Sequence, residues 1–69
     1  MIDIGYAIKR LRKFNNLTQQ ELSDKINMSR PTISGYEIGD RSPTLKDLEK
    51  IADALNIKVW ELIKVGEKK

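Results

Sequence analysis

The chain has 69 residues, enough for one domain with one small core. It contains neither cysteine nor histidine, which excludes disulfides, thiolate and imidazole metal sites, Ser-His-Asp triads and Cys-His pairs. A net charge of +3 and a pI of 9.3 permit a nucleic-acid partner without requiring one.

Ile4, Ile8 and Leu11 recur at helical spacing with Ala7 beside them, which predicts a first helix over roughly residues 3 to 14. Lys9, Arg10, Arg12 and Lys13 cluster on it, a solvated face or a cationic patch. Asn15-Asn16 ends it, because asparagine tolerates the left-handed conformation. Leu17 returns to the core. Thr18 and Glu21 then form a capping box, each satisfying free backbone N–H groups of the other, and open a second helix. Leu22 and Ile26 face inward on it, and Asn27 ends it.

Ser29 caps a third helix over 30–38, with Pro31 in its first turn, where a missing N–H costs little. Ile33, Tyr36 and Glu37 share its inner face and Gly39 ends it. Asp40 to Pro43 is a turn. Thr44 caps a fourth helix with an apolar stripe of Leu45, Leu48, Ile51, Ala52 and Leu55, ended by Asn56. A short fifth helix is expected over roughly Val59 to Ile63, and residues 66–69 read as a frayed tail. The fold class is therefore all-α, a compact five-helix bundle in a single domain over 1–69, with no strand. No apolar run approaches the roughly 20 residues of a membrane span, and MIDIGY has no basic region followed by an apolar block. A cytoplasmic location without a membrane partner is expected.

The chain from about Ile4 to Ile63, most clearly the stretch from Leu17 to Ile57, resembles the phage-repressor and Cro-type (Xre) helix-turn-helix family. The matching positions are Leu17-Thr18-Gln19, Glu21-Leu22, Ser29, Ile33, Tyr36-Glu37, Gly39, Pro43 and Ala52 with Leu55. Asn27 stands where the family commonly has glycine, Ser23 where it often has alanine, and Phe14 and Trp60 where it is more often polar. The resemblance implies a lambda-repressor-like fold whose third helix enters the major groove of double-stranded DNA.

Carried over onto this chain, the positions that read bases are Arg30, Pro31, Ser34 and Gly35, with Thr32 on the flank. Arginine suits this role because it donates two hydrogen bonds to the acceptor pair of guanine. Pro31 offers a ring to a thymine methyl, and Ser34 discriminates weakly. Gly35 either relieves crowding or lets the helix backbone approach the bases. Thr18, Gln19 and Arg41 are the expected phosphate contacts, Arg41 being equally readable as an idle loop cation. Arg12 and Glu37 match an ion pair that ties the first helix to the third in this family.

One recognition helix covers only a half-site, so a homodimer on a palindromic operator is expected. Trp60, Ile63 and Val65 are its candidate interface; the alternative folds Trp60 back over the first helix against Tyr6 or Phe14. The function expected is that of a sequence-specific transcriptional regulator of repressor type, with no cofactor, metal or small-molecule ligand, and not an enzyme. The rival is a protein-binding adaptor or antitoxin of the same fold.

Overall fold

The computed structural model describes residues 1–67. Five helices follow one another: α1 (Ile4–Phe14), α2 (Gln19–Lys25), α3 (Arg30–Ile38), α4 (Leu45–Ala54) and α5 (Val59–Glu67). No strand occurs among the described residues.

Local chemistry sets where the helices start and stop. Asp3, Thr18, Ser29 and Thr44 are extended N-caps whose side-chain oxygens accept from the backbone N–H three residues on. At Thr18 the capping box closes both ways, with Glu21 N donating to Thr18 Oγ1 at 3.0 Å and Thr18 N donating to Glu21 Oε1 at 2.8 Å. The connections after α1, α2 and α4 each pass through an asparagine in the left-handed region: Asn16 (φ 58°), Asn27 (φ 58°) and Asn56 (φ 59°). Gly39 (φ 87°) does the same after α3. The turn between α2 and α3 is tightened by Met28 N donating to Ser23 O at 2.9 Å. Buried Ser23 donates its own hydroxyl to Gln20 O at 2.8 Å, so its polar atom is satisfied where the family often has a methyl.

The core draws on every helix: Ala7 and Ile8 from α1, Leu22 from α2, Ile33 and Tyr36 from α3, Ile51 from α4 and Leu62 from α5, with Leu55 closing it. Full burial of a Leu or Ile side chain is worth about 1.5–3 kcal/mol, so this small set supplies most of the apolar stabilisation available to a chain of this size. Gly5 brings α1 directly onto α3. A Cβ there would lie 2.8 Å from the Glu37 carbonyl oxygen and closer still to that of Tyr36. Only glycine permits that approach.

Two expectations need correction. The fifth helix does not stop near Ile63 but continues to Glu67, so Gly66 and Glu67 are helical rather than frayed. Val65 packs against the core, and Asp3 N donates to Gly66 O at 3.2 Å, which ties the last turn to the start of the chain. Lys68 and Lys69, placed in the same tail, lie outside the described residues. Leu45, counted in the inner stripe of α4, is 66% exposed. It is the first residue of its helix, one turn before Leu48 meets the core.

Candidate nucleic-acid interface

A chain of polar contacts runs from α1 to the start of α3. Arg12 is buried, and its Nε donates to Glu37 Oε2 at 2.7 Å while Nη2 donates to Oε1 at 3.1 Å. The third donor, Nη1, reaches the Leu17 carbonyl at 2.7 Å. The Glu37 side chain is only 2% exposed. An ion pair removed from water is tolerable when its polar atoms find partners, and here each nitrogen and oxygen of the pair has one. Glu37 Oε1 also accepts from Gln19 Nε2 at 3.0 Å, and Gln19 Oε1 accepts from Arg30 Nη1 at 2.9 Å. The Gln19 amide, expected to be free for phosphate, is thus held between the inner face of α3 and its first residue.

The outward side of α3 is built from Ser29, Arg30, Pro31 and Ile38, all exposed, with Thr32 and Ser34 half-buried between them. The hydroxyls of Ser29 and Thr32 lie 2.7 Å apart, so Thr32 is engaged with the cap. Gly35 lies on the same outward side but is buried. The bare backbone expected there is covered by Arg41, whose Cδ and Cγ lie 3.0 and 3.1 Å from where a Cβ of Gly35 would be. The stem of Arg41 is thus packed on α3, and its backbone N–H also donates to Gly35 O at 3.2 Å.

On the other edge of α3, the Tyr36 hydroxyl donates to Asp47 Oδ2 at 3.0 Å, clamping α3 to the first turn of α4. Burial pushes the Tyr36 hydroxyl above its ordinary value of 10.0, the Asp47 carboxylate pushes the same way, and Arg41 partly offsets both. Sequence reading missed this clamp and the Gly5 crossing. The glycine inside an apolar helical pattern was the available signal for the second; no periodicity links residues 36 and 47.

Away from this face, Trp60 is 64% exposed and Phe14 is 82% exposed. Trp60 therefore does not fold over α1, while Ile63 and Val65 are half-buried. Val65 faces the core, which leaves Trp60 and Ile63 as the outward apolar pair on α5.

These features define a helix-turn-helix domain with an outward-facing second helix of the motif. The helix-turn-helix family model matches residues 8–62. The chain belongs to this family, in its phage-repressor and Cro-type (Xre) branch. It is 45% identical over 51 residues to the cryptic phage CTXphi transcriptional repressor RstR of Vibrio cholerae, covering 74% of this chain and 46% of that protein. It is 38% identical over 60 residues to the immunity repressor protein of Bacillus phage phi105, covering 87% and 42% respectively. The chain thus spans less than half the length of either relative. Among solved structures it is similar to the master regulator for biofilm formation SinR in complex with DNA, with a TM-score of 0.81 and 30% identity over 86% of this chain and 95% of that one. These relatives are regulators of transcription, not enzymes. No helix among the described residues is long and apolar enough to cross a membrane.

Proposed function

We propose that this chain is the DNA-reading domain of a transcriptional repressor, which lays α3 in the major groove as one half of a homodimer on a two-fold symmetric operator. The observation that carries the reading is the relay Arg12–Glu37–Gln19–Arg30. It fixes an exposed arginine at the N-terminal end of α3 through contacts that reach back to α1. A guanidinium held in this way meets the two acceptors of a guanine with little ordering left to do. Pro31 and Ser34 present compact groups beside it, and Thr32 sits on the flank. Thr18 and Gln19, at the start of α2, meet the phosphates that set register, with the open backbone N–H groups of that first turn as donors. The likeness to SinR, solved in complex with DNA, supports a DNA partner.

A gel-shift series at varied salt tests the reading. Binding should weaken steeply as salt rises, because cations on this face displace counterions from the phosphates. Arg30→Ala should lose about 1–3 kcal/mol on the preferred site and relax preference at one base position. A protein that forms no salt-sensitive complex with any duplex would instead be the protein-binding adaptor.

A further inference from the structure

Gly35 is a poor helix former in the middle of α3, at a position that points away from the core. The space where its side chain would stand is filled from outside the helix. The chain reverses at Gly39, Arg41 N donates to Gly35 O at 3.2 Å, and the Arg41 stem comes to rest on the Gly35 backbone. Arg41 therefore lies across α3 as a side chain of the helix would, yet it remains an exposed residue. Its guanidinium makes no hydrogen bond or ion pair with another described residue. The Arg30 guanidinium, by contrast, is already tied to Gln19.

We propose that Arg41 is a base-reading residue, supplying from the loop the side chain that Gly35 lacks and bonding the acceptor edge of a guanine beside the C-terminal half of α3. This rests on the reading of α3 as the groove helix. The planar fork of an arginine matches the paired acceptors of guanine, and a stem laid flat on the helix holds the fork in one place. The base so read is distinct from the one facing Arg30, because Arg41 rests on Gly35, more than a helical turn along α3 from Arg30. Gly35 then serves as a seat, and any larger residue there pushes the stem aside.

Selection of bound duplexes from a random pool, run on wild type, Arg41→Ala, Gly35→Ala and Arg30→Ala, tests the assignment, with circular-dichroism melting to check the fold. Wild type should enrich a motif with a preferred guanine that Arg41→Ala loses, with discrimination at that position falling about tenfold. Gly35→Ala should weaken the same position while melting no lower than wild type. Arg30→Ala should flatten a different position. If Arg41→Ala keeps the whole motif and binds every duplex more weakly by one factor, Arg41 touches phosphate and the assignment falls. If Arg41→Ala keeps the motif and melts lower, Arg41 is structural and the assignment falls. A wild type that enriches no motif overturns the reading of α3, and this assignment with it.

Discussion

Glu37 accepts from two donors of Arg12 and one of Gln19 while almost fully shut away from water. Replacing it with glutamine would leave the Arg12 charge buried and uncompensated, which costs far more than the net worth of the pair. Glu37→Gln should lose about 3 kcal/mol in urea denaturation; a loss below about 1 kcal/mol would mean that the pair is effectively solvated. The Tyr36 hydroxyl yields a second prediction. Its proton is held more tightly in the folded protein than in the unfolded chain, first through burial and then through Asp47. The stabilisation this supplies is complete below the unfolded value of about 10 and is lost as pH rises through the higher folded value. The stability difference between wild type and Tyr36→Phe should therefore be constant across neutral pH and shrink above about pH 10. An unchanged difference in denaturant midpoints between pH 9 and pH 11 would refute that role for the hydroxyl.

At the level of elements, the five helices and the caps of α2, α3 and α4 were legible because those boundaries are written in local chemistry. An oxygen-bearing cap opens α2, α3 and α4, and a residue tolerant of positive φ follows α1, α2, α3 and α4. The end of α5 was not legible. Its last turn is held by the Asp3–Gly66 contact, and nothing near Gly66 in the sequence announces a partner more than sixty positions away. The site was legible in part. Arg30, Arg12 and Glu37 were found through a resemblance, and their relay through Gln19 is a matter of side-chain reach that spacing does not encode. That the Arg41 stem lies on Gly35 was not legible, because a loop residue carries no periodicity to say which helix it leans on. The same limit hid the Tyr36–Asp47 clamp, where two residues eleven positions apart meet only after Gly39 has reversed the chain.

For the whole molecule, size bears on assembly. The described residues measure 28 × 24 × 21 Å, smaller than the roughly 34 Å between half-sites on successive turns of DNA. One copy therefore cannot present reading helices to both half-sites. Trp60 is exposed on α5 with the half-buried Ile63 one turn away, and a two-fold axis there would bring each tryptophan onto the partner's helix. Trp60→Glu should shift sedimentation from dimer to monomer with the melting curve unchanged, because the side chain is not part of the core. A wild type that stays monomeric at tens of micromolar, or a variant that unfolds, would overturn this interface assignment. The division between inward and outward residues of α3 also bears on how such a protein drifts over generations. In the proposed reading Arg30 and Pro31 are exposed and lie outside the apolar core, so exchanging them changes target preference with little effect on stability. Positions 35 and 41 are the exception. A side chain gained at the first evicts the stem of the second, so a lineage that alters one inherits pressure to alter the other.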